Sequence, residues 1–352
     1  MLAASIPLQR LVQQRILPHP LETPGEVVAW LGAVQAQNYL ESKWALGLRL
    51  HNATDDLIER AFADGSILRT HVMRPTWHFV APADIRWMLE LTAPRVNRVN
   101  ASQYRGQKLD EALFARSGEV IAKALQGRRQ LTRAELGSAL AEAGILAGGI
   151  RLAYIIMRAE LDGVVCSGPR RGKQFTYALL GERAPQARIL ERDEALAELT
   201  RRYYTGHGPA TLRDFAWWSG LTIADAKAGL EMNGSLLAAE VMNGQAYWFS
   251  SSMPPVPEVS QSAFLLPAYD EFLVGFDSTS ELIRGSREPS QVFDPAIVIG
   301  DRIAGSWKRT FMGNSVLVEL APFARLSSGE EQAVAAAARR YGEFLGMPVK
   351  FL

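Results

Sequence analysis

The chain has 352 residues, 48% of them hydrophobic and 21% charged, with a formal net charge of +1 and a single cysteine. That size and composition describe two or three ordinary globular domains and exclude a disordered chain. The charge balance shows no overall basic excess, Cys166 alone excludes an internal disulfide or a cysteine-rich zinc site and fits a reducing cytoplasm, and no apolar run approaches the roughly 20 residues that span a bilayer.

Residues 1–6 lack a charged stretch ahead of an apolar one, so no secretory leader is expected. Residues 7–17 read as a helix, since Leu8, Leu11, Val12 and Ile16 recur near helical spacing, and Pro18 and Pro20 stop it. Thr23-Pro24 with Glu26 has the pattern of a capping box and opens a second helix that carries Val27, Val28, Trp30, Leu31 and Val34. That helix leads into Gln35-Ala36-Gln37-Asn38. Positions i and i+2 diverge by roughly 200° on a helix and share a face in extended chain. The two amides therefore serve one site only if the helix ends here, and Asn38 is the expected stop. Trp44, Leu46 and Leu48 follow in a segment whose type the pattern leaves open.

A third helix is expected from Thr54 to about Ala63. Residues 67–72 and 76–80 then read as two strands, with Arg74-Pro75 in the turn. Helices followed by a two-stranded hairpin is the order of a winged helix-turn-helix. A connector helix follows at about 83–101. The same order returns with helices at 110–126, 133–143 (capped by Thr132) and 150–162, then strands at 164–167 and 174–178. It returns a third time with helices at 188–204, from Thr211 and from Thr222 to Met232, then strands at 236–241 and 246–249 around Met242-Asn243-Gly244-Gln245. Beyond a proline-rich linker at 253–257, strands at 296–299, 302–308 and 315–320 suggest an antiparallel meander. A helix at 328–345 and an edge strand at 347–352 end the chain.

The expected fold class is thus α+β and mostly helical, with three tandem winged helix-turn-helix units and a small C-terminal antiparallel β/helix segment. The divisions fall at 1–104 (first winged helix with its connector), 105–183 (second), 184–255 (third) and 256–352 (C-terminal segment). The repeat is one of architecture, with little residue identity between copies.

Local charge picks out the second unit. Residues 105–180 hold twelve Lys and Arg against seven Asp and Glu, and its hairpin carries Arg170, Arg171 and Lys173 within four residues. A basic hairpin can lie along a phosphate backbone, where its cations replace condensed counterions. Arg302, Lys308 and Arg309 form a second basic set. Arg69, His71 and Arg74 on the first hairpin complete the candidate DNA contacts. His78, beside Trp77, reads as a packing residue. No third and fourth ligand accompany the histidines, so no metal site is expected. Of Trp217 and Trp218, one indole is expected to be buried and the next half-buried. Asp270 and Glu271, with Asp277 and Glu281, read as caps and surface charge rather than a catalytic carboxylate set.

Several passages together resemble the AlkZ-like DNA glycosylases. They are Gln35-Ala36-Gln37 ahead of Lys43-Trp44-Ala45-Leu46-Gly47-Leu48-Arg49, Leu68-Arg69-Thr70-His71 with Met73-Arg74-Pro75-Thr76-Trp77-His78, and Gly208-Pro209-Ala210-Thr211 through Trp217-Trp218. Leu265-Leu266-Pro267-Ala268-Tyr269-Asp270 adds a weaker fourth. The resemblance implies a monomeric enzyme without metal or cofactor. It implies three winged-helix units that bind double-stranded DNA, and removal of alkylated bases or unhooking of interstrand crosslinks. It also implies that Gln35 and Gln37 hold the hydrolytic water. The expected function is therefore hydrolysis of the N-glycosidic bond of cationic alkylated purines, in the cytoplasm. The alternatives are a non-catalytic winged-helix regulator or a protein-interaction module, in which Gln35 trims a helix end and Gln37 is a surface residue.

Overall fold

The computed structural model describes residues 5–17, 21–256, 262–277 and 292–352. Helix α1 (Ile6–Gln13) is shorter than its apolar spacing predicts. Gln14 caps it and Arg15 turns to a φ of 62°, so the helix ends ahead of Pro18 and Pro20, which lie outside the described residues. Helix α2 (Pro24–Leu31) opens on the expected capping box. Thr23 Oγ1 accepts from the Glu26 N–H and the Glu26 carboxylate accepts from the Thr23 N–H. It stops earlier than expected, at Gly32 with a φ of 81°, a conformation that costs a residue without Cβ little.

Val34–Gln35 form the short strand β1. Asn38 is therefore not the end of one helix but the N-cap of the next, α3 (Tyr39–Gly47), where its side chain accepts from the Glu41 N–H. The segment around Trp44 that the pattern left open is this helix. After α4 (Asp55–Asp64), β2 (Leu68–Val72) and β3 (Arg74–Val80) pair antiparallel with Leu68 opposite Val80 and His71 opposite Trp77. Arg74 and Pro75 lie in β3 rather than in the turn; the reversal falls at Met73, with a φ of 63°. Helix α5 (Ile85–Gly106) runs past its expected end and contains Pro94.

Then come α6 (Glu111–Leu125), β4 (Leu131–Thr132), α7 (Arg133–Glu142), α8 (Gly149–Leu161), β5 (Val165–Ser167) and β6 (Thr176–Leu179), with the strands ordered β4-β6-β5. Next are α9 (Leu180–Arg183), α10 (Arg192–Gly206), α11 (Leu212–Ser219) and α12 (Ile223–Asn233). Strands β7 (Leu237–Met242) and β8 (Gln245–Ser250) pair around Asn243 and Gly244, whose φ values of 50° and 76° are those a two-residue hairpin loop demands. The chain closes with β9 (Ala263–Leu266), α13 (Glu271–Val274), β10 (Ala296–Ile299), β11 (Arg302–Met312), β12 (Ser315–Pro322), a last helix Ser328–Leu345, and β13 (Val349–Phe351). These strands form one sheet in the order β13-β12-β11-β10-β9. Only β12 and β13 are parallel, and the last helix supplies the crossover that parallel neighbours need.

By packing, this mixed α and β chain gathers into two compact units. One comprises residues 1–59, 200–218 and 222–352; the other comprises 60–199 with 219–221. The C-terminal segment shares the first unit with the N-terminal helices. In that first unit the indoles of Trp44 and Trp307 are buried and donate to successive carbonyls of β9, Leu265 at 2.8 Å and Leu266 at 2.7 Å. Tyr341 and Phe344 of the last helix pack on Trp44 with ring centroids 5.1 and 5.0 Å away. In the second unit α6, α7 and α8 bury Phe114, Ile121, Leu136, Leu140 and Ile155 with Val165 of β5. Among the described residues no helix is long and apolar enough to cross a membrane.

Candidate active site and nucleic-acid contacts

Gln35 ends β1 and keeps 9% of its surface, while Ala36 is sealed and Gln37 is exposed. The helix break at Gly32 leaves Val34–Gln35 extended, and the chain then bends at Gln37 and Asn38 into α3. Extended backbone is the condition under which side chains two apart can address one side. One amide is thus almost enclosed and the other open to solvent.

The enclosed side has a hub that the sequence reading missed. Glu271 is fully buried, and its Oε1 accepts the Gln35 backbone N–H at 2.7 Å. Its Oε2 accepts the Trp218 indole N–H at 2.9 Å and lies 3.2 Å from His207 Nε2. The Glu271 backbone carbonyl accepts from Gln14 Nε2 at 3.2 Å. Residues from β1, α11 and the turn after α10 thereby meet on the Glu271 side chain, and Gln14, just after α1, on its backbone. His207 and Trp218 also belong to a buried aromatic set in which His207 stacks on Tyr203 at 4.9 Å. Burial pushes the pKa of the Tyr203 phenol well above its ordinary value.

Beside it, Asp270 and Arg49 form an ion pair in which neither side chain has any exposure. Asp270 accepts from Arg49 Nη1 and Nη2, both at 2.8 Å, and also from the Phe272 N–H at 2.9 Å. Arg49 spends its other donors on the Gln14 carbonyl, the Ala45 carbonyl and Gln14 Oε1. The expectation that Asp270 and Glu271 are caps and surface charge is therefore corrected. Asp270 does cap α13, but both acids are interior and paired. The usable signal was their position: two adjacent acids set between the apolar runs 264–268 and 272–274. Asp277 pairs with Arg213 at 3.0 Å; Glu281 lies outside the described residues.

Arg10 is a second buried guanidinium of this unit. Its Nε donates to the Pro209 carbonyl at 2.9 Å, it lies 3.6 Å above the Phe276 ring, and its Nη2 is 3.6 Å from Asp214. Burial lowers its pKa, and the Asp214 charge opposes that shift. Trp218 is buried and Trp217 is 39% exposed, the split that the sequence implied.

The second unit holds an open cleft of about 580 Å³ lined by Trp77, Phe175 and Tyr177, with cations from Arg69, Arg133 and Lys173. Among the described residues no carboxylate lines it. Arg69 is mostly buried, its guanidinium 4.4 Å from the Trp77 ring and 4.6 Å from Phe175. Arg133 donates to the Gly149 carbonyl at 2.5 Å, and Lys173 is exposed.

His71, expected to reach a substrate strand, is instead only 4% exposed and has Nδ1 2.5 Å from Glu160 Oε2. The Trp77 ring lies 4.2 Å from it, tilted by 42°, and its indole N–H donates to the same carboxylate. A histidine held this way underlies the cleft rather than facing outward. His78 is fully buried and packs as expected, with Nδ1 3.0 Å from the Thr76 carbonyl and Nε2 3.5 Å from Arg74.

Of the basic hairpin, Arg170 lies 5.5 Å from the Phe175 ring, and Arg171 reaches Glu135 and the Gln130 carbonyl, both at 2.7 Å. The Thr132 backbone N–H and then Arg171 hold the Glu135 carboxyl down at about 2. In the first unit Lys308 is exposed, whereas Arg309 is turned inward to Glu41 at 2.8 Å. The basic clusters of the sequence are thus partly spent on internal partners.

The model of the DNA glycosylase AlkZ-like family matches residues 28–344 of this chain. An interstrand DNA cross-link repair glycosylase of Streptomyces sahachiroi is 25% identical over 319 residues, which is 85% of each chain. The solved structure of Streptomyces sahachiroi DNA glycosylase AlkZ is similar with a TM-score of 0.80 at 22% identity, over 98% of each chain, a likeness that concerns the fold.

Proposed function

The chain belongs to the AlkZ-like DNA glycosylase family, and from that premise we propose that it hydrolyses the N-glycosidic bond of cationic alkylated purines in duplex DNA, interstrand crosslinks included. As a member of an enzyme family that acts on DNA, it is a hydrolase rather than a regulator. We read each helix-and-hairpin group as a winged helix-turn-helix unit, and the protein as a metal-free cytoplasmic monomer.

The observation that carries the reading is the non-helical Gln35-Ala36-Gln37 stretch between α2 and α3, with Gln35 nearly enclosed and Gln37 open. Glutamine neither ionises near neutral pH nor keeps a proton, so it is a poor general base. A purine alkylated on its imidazole nitrogen needs little base catalysis. It already carries the positive charge, departs as a neutral base, and leaves a sugar of oxocarbenium character. Two carboxamide oxygens that accept from one water aim its lone pair at the anomeric carbon. Their dipoles also favour the positive sugar, so positioning and electrostatics supply the rate. Cationic adducts are then cleaved and neutral lesions spared.

The cleft of the second unit suits the nucleic acid on chemical grounds. Its aromatic walls offer stacking surface, and Arg69, Arg133 and Lys173 offer phosphate partners with no opposing carboxylate. Arg74, Arg170, Arg171 and Lys308 extend the set of proposed backbone contacts; His71 acts beneath it, by fixing Glu160 and Trp77.

The test is release of free base from duplex DNA carrying N7-methylguanine. Gln35→Ala and Gln37→Ala should each lower the single-turnover rate by about 100-fold, the scale for losing one preorganised polar group. Duplex affinity should be unchanged. Release by the double variant at the native rate would refute the water-holding role. Absence of release by the native chain with duplex binding intact would refute the substrate class.

A further inference from the structure

We propose that Glu271 is a positioning residue for the hydrolysis, one that fixes the backbone of Gln35 and through it the water-holding amide. The inference rests on the reading of Gln35 given above and adds to it a buried charge far away in sequence.

Burying a carboxylate is costly unless donors surround it. Here the Gln35 N–H and the Trp218 indole N–H donate to it, and His207 Nε2 lies 3.2 Å away. The shortest contact, 2.7 Å, goes to the Gln35 backbone rather than to either ring. Hydrogen bonds to an ionised acceptor are about twice as strong as neutral ones. The carboxylate thus holds the peptide from which the Gln35 side chain springs.

Glu271 is itself immobilised. Its backbone carbonyl accepts from Gln14 Nε2 at 3.2 Å and from the Gly275 N–H at 3.0 Å, and the adjacent Asp270 is locked to Arg49. A Cβ on Gly275 would approach the Glu271 carbonyl to 2.4 Å and the His207 ring to 2.8 Å, so the backbone is packed closely around the hub. Cohesion alone could be served by a neutral acceptor. A carboxyl group held by its neighbours, with one oxygen given to the Gln35 N–H, is what a position tolerance below an ångström requires.

The experiment is single-turnover base release from N7-methylguanine duplex, reading the saturated rate and the half-saturating enzyme concentration separately. Glu271→Gln keeps an oxygen for the Gln35 N–H but turns an NH2 toward the Trp218 and His207 donors. It should lower the saturated rate about tenfold or more, as a small misplacement does, with half-saturation unchanged. Glu271→Asp, which retains charge on a shorter stem, should fall between it and the native chain, and serves if the Gln variant does not fold. Adding Glu271→Gln to Gln35→Ala should slow the reaction no further. Phe344→Leu, a core change on the Trp44 side of the unit, controls for lost stability and should keep the native rate.

A Glu271→Gln rate equal to that of Phe344→Leu, or effects that multiply with Gln35→Ala, would overturn the proposal and leave a structural hub. A native rate for Gln35→Ala would overturn the water-holding reading and this proposal together.

Discussion

Asp270→Ala should be among the most destabilising single substitutions in this chain. The carboxylate and the Arg49 guanidinium have zero exposure, and two 2.8 Å bonds join them. Removing the acid leaves a guanidinium in the interior with three hydrogen bonds to neutral oxygens and no countercharge. Breaking a buried pair in this way costs about 3–5 kcal/mol. The Phe272 N–H also loses its acceptor, at about 1 kcal/mol for a lost cap.

The loss should appear in urea unfolding followed by tryptophan fluorescence, as a lower midpoint with the slope retained. Arg49→Met should be destabilising too, since it strands the acid. The double variant Asp270→Ala with Arg49→Met should be more stable than the sum of the singles implies, because a pair of apolar replacements leaves no unmatched charge. An Asp270→Ala cost below about 1 kcal/mol, or strict additivity in the cycle, would refute this account of the pair.

Two further outcomes follow from the second unit. Arg133→Ala and Lys173→Ala should weaken duplex binding evenly across sequences, and each should reduce the slope of log affinity against log salt by about 1 if it meets a phosphate; unchanged slopes would remove the cleft from the DNA path. Cys166 is sealed, and burial pushes its thiol up to about 12. The folded chain should therefore resist a thiol-disulfide reagent at pH 8 and react on unfolding. Above its ordinary pKa the unfolded thiol loses its proton while the folded one retains it, so this contribution to stability is full below about pH 9 and declines toward 12. A Cys166→Ser chain with the same alkaline decline would show that the thiol is not its source.

What the sequence made legible was local. Thr23, Thr132 and Thr222 each announced a helix start because a cap and its partner lie three residues apart, within reach of pattern reading. Asn243-Gly244 announced its hairpin because few other pairs take two left-handed conformations. The Gln35 stretch was located, but not its backbone. Gly32 ended the helix first, and Asn38, equally suited to either end of a helix, began the next one.

What stayed hidden was set by partners far away in the chain. Asp270 looked like surface charge because Arg49 is 221 residues distant. Arg171 and Arg309 looked available because counting charge says nothing of Glu135 and Glu41. His71 looked outward because of its place on the first hairpin beside Arg69 and Arg74, whereas Glu160 and Trp77 enclose it.

The first unit is stitched from three separated stretches of chain, and the bond from Gln35 to Glu271 spans 236 residues. On a ribosome adding roughly 5–20 residues per second, the glutamine waits on the order of 10–50 s for its acidic anchor to be made. The second unit, all but three of its residues in one run, has its material complete well before that. Nascent chains should thus acquire protease resistance in the middle of the sequence first, and the chemistry of the glutamine stretch should switch on only as the final quarter emerges.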